Sequence, residues 1–224
     1  MSQDERKALL ALDPVPPERQ EKYGPHPSQV IDLYGENAPG GRIVLLHGGF
    51  WREEWDRTHL SPRSRAPRVG GGGGWPATVE DIDAALEHLG APASVLFGHS
   101  AGGHLALWAA AKRERAAGRV VVAAPLADLA RAHELRLDGD SVAAFLGGEE
   151  KVETTSWDAD PMRLLPRIPV EILHGTADKE VPIELSRRYA NNWGGRLHLL
   201  PGVGHYAPIT PRTPAFDVLV RSLR

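Results

Sequence analysis

The chain has 224 residues, 42% of them hydrophobic and 25% charged, with a formal net charge of -3. That length suits one domain built on a single core, and the charge balance offers no basic surface for nucleic acid or an anionic membrane. There is no cysteine, which excludes disulfides, thiolate nucleophiles and cysteine-ligated zinc and fits a reducing compartment.

The opening residues, Met1 to Leu12, are charged, and no apolar run is long enough to span a bilayer, so a cytoplasmic location is expected. Residues 1–28 are polar and carry Pro14, Pro16, Pro17, Pro25 and Pro27. Prolines at that density predict an extended arm lying on the body of the protein. Residues 29–224 then read as one α/β domain. Val30 to Tyr34 is expected to add an antiparallel edge strand. Ile43 to Leu46, Val95 to Phe97, Val120 to Ala123, Val170 to Leu173 and Leu197 to Leu200 are short segments rich in Val, Ile and Leu that predict buried parallel strands. Helices are predicted between and after them, at Val79 to Leu89, Gly103 to Arg115, Ile183 to Ala190 and Ala215 to Leu223. Such alternation points to a doubly wound, mostly parallel sheet, in which reactive groups sit on loops at the carboxyl ends of the strands. Pro62 to Gly74, with five consecutive glycines, has neither period and predicts a flexible loop. It lacks the Lys-Ser/Thr ending that a phosphate-cradling loop requires.

The chemistry concentrates at strand ends. Gly98-His99-Ser100-Ala101-Gly102 fits G-x-S-x-G, between an apolar strand and a helical segment. A serine on such a sharp turn projects its Oγ at the positive end of the following helix, and the flanking glycines let the chain pass close without a Cβ. A serine N-cap with incidental glycines would look similar in isolation. The later loops supply the rest of an activating set: Asp178 in His174-Gly175-Thr176-Ala177-Asp178, and His205 in Gly202-Val203-Gly204-His205-Tyr206. Serine is a weak nucleophile that needs a base, and the base needs an orienting acid. Asp128, after the third parallel strand, is the rival acid. Of the ten histidines, His99 and His104 flank the serine and are read as shaping its turn, and His47 and His174 as fixing loops through ring hydrogen bonds. None shows the spacing of a zinc hydrolase, so no metal and no cofactor is implied.

A tetrahedral intermediate needs donors aimed at its oxygen. The N–H of Ala101 is one candidate. Gly49 and Phe50 of His47-Gly48-Gly49-Phe50-Trp51 are the others, since glycines after a strand can turn backbone N–H groups inward.

Taken together, HGGFW, GHSAGGHLALWAA, HGTADKEVP and GVGHY resemble the α/β-hydrolase superfamily, and within it the HGG-bearing carboxylesterases and the kynurenine formamidase (arylformamidase) group. HGTADKEVP is also similar to prolyl-oligopeptidase-type serine peptidases, whose propeller domain has no counterpart here. The resemblance runs from about Ile43 to the C-terminus. It implies an α/β-hydrolase fold and a serine hydrolase with Ser100 as nucleophile, His205 as base and Asp178 as orienting acid. In that fold a helix and a strand usually follow the HGG motif. Only Arg52 to Gly74 is available here, which implies a deletion of about twenty residues, the size of an ordinary βα unit. The missing strand would lie outside the HGG strand, away from the nucleophile, leaving a sheet edge on which marginal stability or a homodimer is expected.

Residues 125–168 leave the alternation and are expected to lid the site. Leu126, Leu129, Phe145, Leu146, Trp157 and Met162, with Phe50, Trp51 and Tyr206, could form an apolar, partly aromatic pocket, although for any one of them a place in the core is the default reading. Trp51, Trp157 and Tyr206 are the expected substrate contacts. The partner is expected to be a small uncharged ester or amide. A catalytically impaired relative that binds a ligand or partner, and a peptidase, are the competing readings.

Overall fold

The five apolar runs pair in parallel as β3 (Ile43–Leu46), β4 (Ala93–His99), β5 (Ala117–Ala123), β6 (Val170–Gly175) and β7 (Arg196–Leu200), neighbours in space in the order of the sequence. The computed structural model describes residues 2–35, 39–52 and 74–224. Pairing of Leu46 with Gly98, His99 with Ala123, Ala123 with Leu173 and Gly175 with Leu200 brings the carboxyl ends of all five strands to one edge. Around the sheet lie α1 (Ser2–Leu10), α2 (Ala77–His88), α3 (Ala101–Lys112), α4 (Leu129–Glu134), α5 (Leu137–Leu146), α6 (Val152–Ala159), α7 (Ile183–Trp193) and α8 (Pro214–Leu223).

Side chains alternate across the sheet, so the core has two halves. Leu96, Val120, Val122 and Ile172 pack with α2, α3 and α7, through Val79, Ile82, Leu105, Leu107, Leu185 and Tyr189. Val95, Phe97, Val121 and Leu173 face the other way, onto Leu9 of α1 and Ala215 and Leu219 of α8. Strands placed in sequential order and joined by right-handed crossovers put their helices on one face. The opposite face is therefore left to the two terminal helices. α3 is buried from Ala101 to Ala111, as a helix apolar on all sides must be.

Two expectations are corrected. The predicted extended arm is instead helix α1 followed by strand β1 (Arg19–Lys22). The prolines begin only at Pro14. Before them, Asp4 and Glu5 sit in the first helical turn, where the helix dipole favours acids, and Leu9 supplies an apolar anchor. The second correction concerns β2 (Val30–Leu33), which forms as a strand but pairs antiparallel with β1 in a separate ribbon and does not extend the central sheet. Gln29 Nε2 donates to Asp81 Oδ1 at 2.6 Å and His88 lies 2.8 Å from Glu21, so the ribbon rests on α2. Of the two readings open for Leu126, Leu129, Phe145 and Leu146, the structure takes the core one: all four are buried in it. The helices between β5 and β6 pack on α3, where Trp108 Nε1 donates to the Asp158 carbonyl at 3.1 Å and His104 Nε2 to the Ala159 carbonyl at 2.9 Å.

β3 is the outer strand of the sheet among the described residues. The expected deletion and the glycine-rich loop fall almost wholly on residues 53–73, outside the described residues. Among the described residues, no helix is long and apolar enough to cross a membrane.

Candidate active site

Ser100 follows β4 and heads α3 with φ 55° and ψ -120°, a conformation that L-residues rarely adopt. The surrounding contacts enforce it. A Cβ on Gly98 would lie 2.2 Å from the Gly102 carbonyl oxygen, and one on Gly102 would lie 2.3 Å from the carbonyl oxygens of both Leu46 and His47. The turn therefore wedges between β3 and β4 with no room for a methyl group. Further bonds fix the serine: its N–H donates to Ala123 O at 3.0 Å, and its carbonyl accepts from His104 N at 3.1 Å and Leu126 N at 3.2 Å. Ala101 is the first residue of α3, where backbone N–H groups have no carbonyl partner within the helix.

Asp178 and His205 come together because their loops leave adjacent strands. The loops are stitched by Ala177 N donating to Val203 O at 2.9 Å and Thr176 N to Leu200 O at 2.9 Å. A Cβ on Gly175 would lie 2.1 Å from Val203 O, so that glycine permits the approach. His205 Nδ1 donates to Asp178 Oδ2 at 2.7 Å. Both side chains are buried. Asp178 Oδ1 accepts from the Glu180 and Val181 N–H groups, each at 2.9 Å. His174 Nε2 lies 3.3 Å from Asp178 Oδ2 while also reaching Val181 O, and its Nδ1 faces the Ser186 hydroxyl at 2.7 Å. Burial works against the charge on Asp178, but hydrogen bonds from His174 and His205 outweigh it and hold the carboxyl well below the usual carboxylate range. His99, the residue before Ser100, reaches the other loop: its Nε2 donates to the His205 carbonyl at 3.1 Å and its ring centroid lies 4.6 Å from that of His205.

The rival acid has other work. Asp128 caps α4, accepting from Arg131 N at 2.9 Å, and pairs with Arg188 Nε at 2.6 Å.

The HGG loop packs against the serine, since a Cβ on Gly48 would lie 2.8 Å from Ser100 Cβ. Gly49, Phe50 and Trp51 have φ of 119°, 49° and 57° in succession, and Arg52 N closes the turn onto Gly49 O at 2.9 Å. Successive backbone N–H groups in a turn of this kind can form an anion-binding concavity. The expected substrate contacts divide. Tyr206 stands edge-on to His205 with centroids 4.9 Å apart, and burial with the nearby negative charge of Glu180 pushes its phenol up to about 12. Trp51 is buried, stacked on Phe145 at 4.3 Å and edge-on to His104 at 5.2 Å, a seat in the core. Trp157 is 67% exposed on α6 with the Arg163 guanidinium 4.3 Å over its ring. The structure does not bring it to the others; its place on α6 leaves its ring in solvent.

Sequence reasoning had His174 fixing its loop through ring hydrogen bonds, as it does to Val181 and Ser186, but missed its contact with Asp178 and missed Glu5, whose carboxylate meets the His205 loop from α1. Position next to a glycine gave His174 a faint signal; nothing in the sequence pointed to Glu5. Among the described residues, no three His, Asp or Glu side chains form a metal-holding group.

A parallel sheet with a strained serine between strand and helix, and an acid-histidine pair on the ends of its last two strands, defines the architecture of an α/β hydrolase. The sequence profile of the alpha/beta hydrolase family matches residues 43–216, and the chain belongs to that family. Among solved structures it is similar to a truncated carbohydrate esterase from gut microbiota, with TM-score 0.71 and 19% identity over 93% of this chain and 98% of that one. Esterase B from Lactobacillus rhamnosis superposes with TM-score 0.73 and 18% identity over 99% of this chain and 90% of its own. An esterase/lipase from an uncultured bacterium gives TM-score 0.69 and 18% identity, covering 100% and 88%. No curated protein matches the sequence.

Proposed function

We propose that this chain is a serine hydrolase that cleaves small esters through an acyl-enzyme, with Ser100 as nucleophile, His205 as general base and Asp178 as its orienting acid. The observation that carries this reading is the buried 2.7 Å bond from His205 Nδ1 to Asp178 Oδ2, with the His205 carbonyl bonded to His99, the residue before the strained Ser100. Because Asp178 accepts the Nδ1 proton, the lone pair of neutral His205 sits on Nε2, the nitrogen that must take the proton of Ser100 Oγ. Oγ then bonds the ester carbonyl carbon, and the oxyanion is met by the N–H groups of Ala101 and of Gly49 or Phe50. Collapse expels the alcohol with the proton from His205, and water, deprotonated by the same histidine, releases the acid and frees Ser100.

The family membership and the esterases among the similar folds support ester cleavage over other acyl transfers. Tyr206 and Phe50 are the aromatic groups left to meet an acyl or aryl moiety, with Trp51 committed to the core. N-formyl aryl amides are the second substrate class, carried by the HGGFW loop.

A fluorophosphonate probe tests the assignment. Ser100 is expected to be labelled in the parent and the label lost in Ser100→Ala; undiminished labelling of that variant rejects the nucleophile. A panel of short-chain aryl esters, N-formyl aryl amides and peptides then ranks the substrates. Peptide cleavage faster than any ester or formamide would move the chain to the peptidase reading.

A further inference from the structure

Resting on the reading of Ser100, His205 and Asp178 as the catalytic set, we propose that Glu5 is a positioning residue for the catalytic histidine. Glu5 stands about two hundred positions earlier in the chain, on α1. Its Oε1 accepts from Gly204 N at 2.9 Å, and its Oε2 accepts from Tyr206 N at 3.1 Å and Ala207 N at 3.3 Å. One carboxylate thus holds peptide N–H groups on both sides of His205. Tyr206 and Ala207 open the 3-10 turn Ala207–Ile209, whose leading amides have no partner within the turn, so the negative charge sits where a helical start favours it. Gly204 is fitted to this contact: a Cβ there would lie 2.5 Å from Glu5 Oε2.

The helix itself is fixed. Leu9 is one turn on from Glu5 and on the same face, and it is buried with Phe97, Leu200, Ile209 and Leu219. Apolar burial therefore places α1, and α1 delivers the carboxylate to the loop. Three constraints then set the imidazole: Asp178 on Nδ1, His99 on the residue's carbonyl, and Glu5 on the flanking amides. Charge-assisted bonds from a carboxylate to amides are roughly twice as strong as neutral ones, and a carboxylate has lone pairs enough for all three. Removing it leaves three N–H groups without this acceptor and lets the loop shift. A displacement of about 1 Å between base and nucleophile costs roughly 10²-fold in rate.

The test uses the full chain, p-nitrophenyl acetate as substrate and the fluorophosphonate probe. In Glu5→Ala, kcat per folded molecule is expected to fall roughly 10²-fold with KM little changed, and labelling of Ser100 to slow in parallel. Glu5→Gln, which keeps one acceptor oxygen, is expected to recover part of that loss. A purely structural role would lower the melting temperature and leave kcat of the folded molecules alone. Turnover within about twofold of the parent in folded Glu5→Ala overturns the proposal; should that variant not fold, unchanged kcat in Glu5→Gln does the same. A parent chain that neither labels at Ser100 nor hydrolyses the ester fails at the earlier reading, and Glu5 then has no catalytic histidine to place.

Discussion

At Gly102 a methyl group would meet two carbonyl oxygens of β3 and its loop at 2.3 Å, contacts that rigid backbone cannot relieve by a side-chain rotation. Gly102→Ala is therefore expected to destabilise by about 1–3 kcal/mol or more through overpacking and to abolish labelling of Ser100. Thermal melts with the fluorophosphonate probe check both parts; a stable, fully labelled variant would show that the turn is not wedged. The two aspartates make the opposite pair of predictions. Asp178→Asn removes the charge that holds His205 and should lower turnover about 10⁴-fold. Asp128→Asn should weaken the cap of α4 and the ion pair to Arg188, costing about 1 kcal/mol in a denaturant titration while turnover stays near the parent's. A larger loss of turnover from Asp128→Asn would reverse the assignment of the acid.

Between elements, the most telling arrangement is the face of the sheet left to α1 and α8. There Leu9 from α1 is buried beside Ala215 and Leu219 of α8. Leu9→Ala should cost about 2–5 kcal/mol, the range for emptying a buried leucine site. A change under 1 kcal/mol in the denaturation midpoint would mean α1 is loosely held. On the other face, α5 seats the HGG loop: Phe145 stacks on Trp51, and Arg52 donates to the Asp138 carbonyl at 2.8 Å and pairs with its carboxylate at 2.7 Å. Phe145→Ala should cost about 3–5 kcal/mol and, by loosening the left-handed run from Gly49 to Trp51, reduce kcat more than KM. Parent-like kinetics in the folded variant would separate α5 from the oxyanion loop.

For the molecule as a whole, buried His104 contributes to the response to acid. Burial lowers His104 from 6.5 to about 4, against a smaller raising effect of its bond to the Ala159 carbonyl. Between those values the unfolded chain binds a proton that the folded chain refuses, so stability is lost as pH falls through that window. The loss amounts to roughly 3 kcal/mol by pH 4. Asp178 adds nothing in that range, because its carboxyl is held below the ordinary 3.8; its contribution is present above 3.8 and is lost only as pH falls further. Denaturant midpoints measured from pH 7 to pH 4 should therefore fall more steeply for the parent than for His104→Gln. Parallel curves would place the acid sensitivity elsewhere.

The strands and the serine turn were legible in the sequence because their signals are local. Val95 to Phe97 and Val120 to Ala123 are apolar without interruption since both sides of a central parallel strand are covered, and G-x-S-x-G records a steric demand of its own backbone. The order Ser100, Asp178, His205 followed from the same strand-end loops. Other assignments needed the tertiary fold. Phe145, Trp51 and Trp157 are alike in composition, yet two are buried and one is in solvent, because packing against α3 and its neighbours, not residue type, decides burial. Pro14 and its successors concealed a helix lying before them, whose stability comes from Leu9 meeting α8 and the sheet. Glu5 was beyond reach for the same reason: an acid on a short polar helix gains its partners only when strand pairing and apolar burial bring Gly204 to Ala207 against it.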